Sequence, residues 1–248
     1  YIADRNNHRI QKYLVGSLSG ITVAGQANGT SGSTLSYLQN PSRVLVDVNG
    51  DMYITDTGNQ RILSWSHSAS SAVIIAGTGI GGSSNNQLRT PYGIVRDLSS
   101  DKLYIADYSN DRIMLYLNGA SSGTVIAGGN GSGINKTQLK TPVGLYFDSL
   151  SNSLVIANHG ASNVIQWVVG ETSWTLLAGS INGTAENTST LMNGVVDITF
   201  DPMGNMYIAD RNNHRIQKYL VGSLSGITVA GQANGTSGST LSYLQNPS

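Results

Sequence analysis

Three sets of side chains in this sequence could do chemistry. The first pairs a carboxylate with a guanidinium five residues later: Asp4 with Arg9, Asp56 with Arg61, Asp107 with Arg112 and Asp210 with Arg215. Such a pair can tie a turn, or its Asp could serve as a general acid or base. At the matching place in a further copy stand Asn158 and Asn163, so both charges vanish together. Losing one partner of a partly buried ion pair strands the other, whereas losing both is cheap. A catalytic Asp gives no reason for the Arg to go with it. The pairs are therefore expected to be structural, with Asn7, Asn59 and Asn110 capping the turns.

The second set is Asp47, Asp97, Asp148 and Asp201, each just before a tight turn. Acceptance of backbone N–H bonds across the turn explains them; a ring of carboxylates around a central cation is the sharper alternative. The third set is the four histidines. His8 and His214 are copies of one another, His67 follows a strand and His159 sits in the altered copy. No two have the spacing of a metal-binding pair. No nucleophile elbow, P-loop or paired catalytic carboxylate occurs. No catalytic residue, metal or cofactor is expected, and the chain is not expected to be an enzyme.

The elements that position these residues recur. Tyr1-Ile2-Ala3-Asp4, with Asn7, Arg9 and Ile10, returns at Tyr53, Tyr104 and Tyr207 and, altered, at Val155. Starts at 1, 53, 104, 155 and 207 give spacings of 51 or 52 residues, the mark of one supersecondary unit repeated. Each unit reads as a strand, a turn at the Asp, a second strand such as Arg9 to Leu14, and a third ending in Ala-Gly. A long Gly/Ser/Asn loop and a fourth strand such as Arg43 to Asp47 follow. Four short strands per unit predict an all-β fold of β-propeller blades, four antiparallel strands each. The chain holds four full blades and a three-stranded partial one, all in a single array over 1–248. From the leading position to the Ala of Ala-Gly is 23 residues in every complete unit, so length changes fall in the loop. This predicts a rigid scaffold with an adjustable rim. The aromatic twelve residues after each start (Tyr13, Trp65, Tyr116, Trp167, Tyr219) is expected to fill the space between blades with its polar edge near water; a sugar-stacking platform is the alternative.

Composition bounds the task. Lys+Arg and Asp+Glu are both 14, so no net field draws nucleic acid or an anionic membrane. Charged residues are only 11% and Cys is absent, which excludes disulfides and thiolate metal sites. No apolar run approaches the roughly 18 residues of a membrane span. The sequence opens without Met inside a repeat and is expected to be a piece of something longer.

The pattern P-x-G…D…G-N-x-Y-I-A-D-x-x-N-x-R-I, with its Asn7-His8 dipeptide, resembles the NHL repeat. The long Gly/Asn/Ser loops make the chain similar to large extracellular NHL arrays. The resemblance implies β-propeller blades, commonly six to a ring. One departure is the altered copy, where Asn193-Gly194 stands near the place of Pro41, Pro91 and Pro142, which predicts a looser or specialised blade. Family functions diverge. RNA binding through a basic face conflicts with zero net charge, and a metal-dependent lyase branch is the remote alternative.

Six sequons, at Asn28, Asn130, Asn135, Asn182, Asn187 and Asn234, all fall in the long loops and are candidate glycosylation sites. Residues 207–248 repeat 1–42 at every position, loops included. Folding preserves skeletons, not loop letters, so the molecule has a 206-residue period of four blades. Together these features predict a secreted or cell-surface, non-enzymatic structural or adhesive protein whose partners are other copies of itself in an array or fibre. An independent propeller binding a glycan or protein through its loops is the alternative.

Overall fold

Short apolar runs bounded by Gly, Asn and Asp become strands throughout, and a computed structural model describes all 248 residues, Tyr1–Ser248. The fold is an all-β β-propeller of five blades, with no α-helix. Blade one has three strands, β1 (Ile2–Asp4), β2 (Arg9–Tyr13) and β3 (Gly20–Gly25). Blade two is β4 (Arg43–Val46), β5 (Met52–Asp56), β6 (Arg61–Trp65) and β7 (Val73–Ala76). Blade three is β8 (Pro91–Asp97), β9 (Lys102–Asp107), β10 (Arg112–Tyr116) and β11 (Thr124–Gly128). Blade four is β12 (Pro142–Asp148), β13 (Ser153–Asn158), β14 (Asn163–Val168) and β15 (Thr175–Gly179). Blade five is β16 (Val195–Phe200), β17 (Met206–Asp210), β18 (Arg215–Tyr219) and β19 (Gly226–Gly231). Each sheet is an antiparallel meander in chain order.

The chain forms two compact units. One holds Tyr1–Asn110 with Met114–Val125, the other Asp111–Ile113 with Ile126–Ser248. In the first, Ile10, Ala24 and Leu38 pack with Met52, Ile54, Leu63 and Trp65, and a second cluster joins Ile62, Leu88, Ile94 and Met114. In the second, Val164, Ala178 and Met192 pack with Val195, Ile198, Ile208 and Tyr219. The second strand of each full blade is buried on both faces, which is why β13 reads Leu-Val-Ile-Ala without polar alternation.

The Ala-Gly punctuation has a steric cause. Gly25, Gly77, Gly128, Gly179 and Gly231 all have positive φ, and a Cβ on each would collide with the carbonyl oxygen of His8, Gln60, Asp111, Ser162 or His214 respectively. Those five residues close the turn after each Asp, themselves in the left-handed region at φ 50–55. Their side chains then act as latches. His8 Nδ1 accepts the Asn40 N–H at 3.0 Å, Gln60 Oε1 that of Thr90 at 2.5 Å, and Asp111 Oδ1 that of Thr141 at 2.6 Å. Ser162 Oγ accepts the Gly194 N–H and His214 Nδ1 the Asn246 N–H, each at 3.1 Å. Every donating amide belongs to a residue of positive φ, so Gly194 takes without strain a conformation that Asn40, Thr90 and Thr141 adopt ahead of a proline.

Candidate functional site

The Asp–Arg turns are built as clamps. In blade two, Asp56 Oδ2 accepts from Arg61 Nε and from Asn59 Nδ2, both at 2.8 Å, while its Oδ1 accepts the Gln39 N–H at 2.7 Å. The other guanidinium nitrogens reach the preceding long loop, donating to the carbonyls of Ser33 at 2.7 Å, Thr34 at 3.0 Å and Tyr37 at 3.3 Å. Asn59 adds a bond to Gly32 O. Blade five repeats this. Arg215 Nε lies 2.7 Å from Asp210, its Nη2 donates to Thr188 O and Leu191 O, Asn213 holds Glu186 O, and Asn193 N–H donates to Asp210. In blade three, Asp107 accepts the Arg89 N–H and Asn110 Nδ2, and Asn110 holds Gly82 O; Arg112 is buried. Burial raises the Asp56 carboxyl above its ordinary value against the pull of Asn59, Gln39 and Arg61.

Blade four keeps the geometry without charge. Asn158 Oδ1 accepts the Lys140 N–H at 2.7 Å, its Nδ2 donates to Asn163 Oδ1 at 3.1 Å, and Asn163 Nδ2 donates to Ser180 O. A neutral amide offers a donor and an acceptor, so two Asn satisfy each other where a lone Asp or Arg would not. In blade one the Asp4–Arg9 pair closes at 2.9 Å but is a quarter exposed, and of the loop contacts only Arg9 Nη1 to Ala27 O is made.

The altered unit also opens a groove. Between blades two and three the leading Tyr53 lies under the Arg96 guanidinium at 4.5 Å, and the space left is about 180 Å³. Between blades one and two, where Tyr1 and Lys12 stand, it is about 290 Å³. Between blades four and five the leading residue is Val155 and Phe200 takes the place of Arg96, leaving about 690 Å³. The floor is Val155, Leu177, Met206 and Tyr219; Tyr146 packs on Phe200 with ring centres 4.6 Å apart. The mouth is apolar, with Leu150 98%, Val221 71% and Leu224 65% exposed. Asp148 and Asp201 stand at its edge. Asn205 and the turn amides hold Asp201 down at about 2, and burial pushes the Tyr219 phenol up to about 12.

The remaining sites of the sequence fall as follows. Asp47, Asp97, Asp148 and Asp201 accept the N–H of Asn49, Ser99, Leu150 and Met203 in their own turns. No group of three or more His, Asp or Glu converges as a metal would require. His159 Nδ1 lies 3.1 Å from Val195 O. Of the repeated aromatics, Trp65, Tyr116, Trp167 and Tyr219 are buried, so they offer no platform to a sugar. Their polar ends meet the carbonyls of Ala69, Asn85, Glu171 and Ser189 rather than water. Asn28, Asn130, Asn135, Asn182 and Asn234 are exposed; Asn187 is half-buried against Gly235. The loop carbonyls and the Val155 groove were not foreseen. The sole sequence signal for the groove is that the fourth unit starts with Val rather than Tyr.

The NHL repeat profile matches residues 192–219, which covers the blade-five clamp up to Tyr219. No curated protein sequence matches the chain. Among solved structures, the chain is similar to one in the nidogen/laminin complex at a TM-score of 0.64 and 17% identity, covering 91% of this chain and 72% of that one. It is similar to an auxiliary nutrient binding protein from Bacteroides ovatus at 0.57 and 17%, covering 74% and 49%. The streptogramin B lyase structure follows at 0.51 and 15%, covering 77% and 57%. At these identities the likeness is one of fold.

Proposed function

We propose that this propeller with NHL-repeat sequence is a non-enzymatic binding module, and that the groove between blades four and five is its contact surface. The observation that carries this is Val155. Where a tyrosine leads the unit the groove is small; where Val155 leads it, about 690 Å³ opens under a mouth of exposed leucine and valine. Contiguous apolar surface at a concave site favours a partner's hydrophobic side chain over a glycan. A binding role is in keeping with a fold neighbour described as nutrient binding. An apolar fluorescent dye, anilinonaphthalene sulfonate, tests the site. The full chain is expected to bind it near one to one, and Val155→Tyr to weaken binding about tenfold by filling the floor. Leu224→Asp, at an exposed position, is a second variant in case the first misfolds. Equal dye binding in both variants and the parent rejects the groove.

The second reading, a structural or adhesive array of 206-residue periods outside the cell, is favoured by the identity of 1–42 with 207–248. Outside the cell, glycans are expected on some of Asn28, Asn130, Asn135, Asn182 and Asn234 and not on Asn187, whose side chain abuts Gly235. Site-resolved mass spectrometry of native material before and after glycan removal decides it; no mass change refutes the extracellular placement.

A further inference from the structure

A tyrosine, a cation and a carboxylate recur as a trio beside the leading position of a unit. Over the Tyr53 ring of blade two lies the Arg96 guanidinium of β8, 4.5 Å from the ring centre, and it faces Asp47 at 3.6 Å and pairs with Asp101. In blade five the Lys218 ammonium lies 5.1 Å from the Tyr207 ring centre and 3.5 Å from Asp201. The carboxylate shared by both sets, Asp47 or Asp201, is the one in the turn just before the leading tyrosine. The ring face attracts the cation, and the carboxylate holds the cation over the ring.

Blade four keeps one member of this trio and lacks the other two. Val155 stands where the tyrosine would be. The two positions that supply a cation elsewhere hold Phe200, the counterpart of Arg96, and Gln166, which like Lys218 comes eleven residues after the leading position. Asp148 remains in its turn, where it accepts the Leu150 N–H and the Ser151 hydroxyl and forms no ion pair. Ring and cation have thus gone together, and the groove of about 690 Å³ lies where they would stand, with the Tyr146–Phe200 pair along one wall. No Lys, Arg or His lines it. Its lining includes three acceptors: the carboxylates of Asp148 and Asp201, and the carbonyl of Gln166, whose Nε2 is spent on Ser153 Oγ at 2.8 Å. Lys218 already faces Asp201, so Asp148 is the carboxylate left for a cation from outside.

We infer that the groove takes a polypeptide segment of a partner protein in which an aromatic residue stands next to a lysine or arginine. The ring enters over Val155 and against Phe200, and the cation meets Asp148. These two groups restore from outside the trio that blades two and five carry within the chain. A purely apolar side chain would fill the floor but offer no donor to the acceptors at the edge. The mouth favours a polypeptide over a small amine, because Leu150, Val221 and Leu224 extend exposed apolar surface that a segment running past the ring would cover. This inference rests on the groove as contact surface and names the chemistry of its occupant.

Calorimetric titration of the full chain with capped hexapeptides tests it, the central pair being Phe-Lys, Phe-Glu or Leu-Lys between glycines. The Phe-Lys peptide is expected to bind at one site, the Phe-Glu peptide at least about fivefold more weakly at low salt, and the Leu-Lys peptide about threefold more weakly. Val155→Tyr, which fills the place of the ring, is expected to remove binding. Asp148→Asn keeps an acceptor for the Leu150 N–H and is expected to reduce the preference for Lys over Glu to under about twofold at unchanged melting temperature. Gln166→Lys, which sets a cation where Lys218 has one, is expected to remove that preference as well. No peptide binding, equal binding of the three peptides, or a preference that Asp148→Asn leaves intact overturns the inference. So does free phenethylamine that binds as tightly as the Phe-Lys peptide, since the ligand would then be a small amine. Dye binding that Val155→Tyr weakens, in a parent that does not tell the peptides apart, keeps the groove and rejects this occupant, so the two failures are distinct.

Discussion

Residues 1–42 and 207–248 are one sequence in two surroundings, and the structure treats them differently. In the first copy the flank toward the next blade is sealed: Ala24 is 2% exposed and Leu38 0%. The other flank is open at Ile2 and Tyr13. In the second copy Ile208 and Tyr219 are sealed, and Val229 and Ala230 are exposed. The second and third strands, the turn and the bulge have the same bounds in both. Local sequence therefore sets the backbone of a blade, and its neighbours set the burial, hence the energetic weight, of each side chain.

The comparison can be broken most severely with an arginine at the same letter in each copy. Ala24→Arg is expected to cost at least about 3 kcal/mol, because a charge enters a sealed core. Ala230→Arg, on an exposed flank, should lie within about 0.5 kcal/mol. Chemical denaturation of the two variants measures the gap. Next come the clamps. Arg215→Ala leaves buried Asp210 uncompensated and is expected to cost about 3–5 kcal/mol. Arg9→Ala, at a quarter-exposed pair, should cost under about 1 kcal/mol. Equal losses would mean that exposure does not govern these pairs. Tyr219→Phe removes a buried hydroxyl that donates to Ser189 O and is expected to cost roughly 0.5–1 kcal/mol, with no measurable loss for Tyr13→Phe. Differential scanning of both variants separates them.

The smallest effect concerns pH. Asp201, in the turn before the second copy, is lowered from 3.8 to about 2, first by Asn205 and then by turn amides and Lys218. A carboxyl lowered on folding contributes stability above its unfolded value, and that contribution is lost as pH falls through the folded value. The melting temperature of the parent should therefore drop more between pH 3.8 and about 2 than that of Asp201→Asn. Parallel acid titrations would show otherwise by coinciding.

Much of this was legible in the sequence, because it depends on neighbours along the chain. The strands follow from Tyr-Ile-Ala and its variants, and the turn of four residues between Asp and Arg dictates their contact. Joint replacement at Asn158 and Asn163 reads as two groups that face each other, and Asn158 Nδ2 donates to Asn163 Oδ1 at 3.1 Å. What was not legible is contact at a distance. Arg61 spends its remaining donors on carbonyls 24–28 residues earlier, and any residue supplies a carbonyl, so no letter marks the target. The Val155 groove is a volume missing between two blades, and a volume has no spacing. Of the aromatics twelve residues on, Trp65, Tyr116 and Tyr219 pack against the preceding blade as read, whereas Tyr13 is half-exposed, and their polar ends needed the loop carbonyls to be known first.

The latches after each turn carry a consequence for how such a chain can drift. Five junction residues, two His, a Gln, an Asp and a Ser, do one job, and the donor in every case is a main-chain amide. Mutation cannot remove an amide except by proline, and almost any short polar side chain can meet it. The joint between blades is thus written half in a medium that does not mutate and half in one with many synonyms. Neighbouring units can lose their likeness letter by letter while the hinge between them goes on closing in the same place.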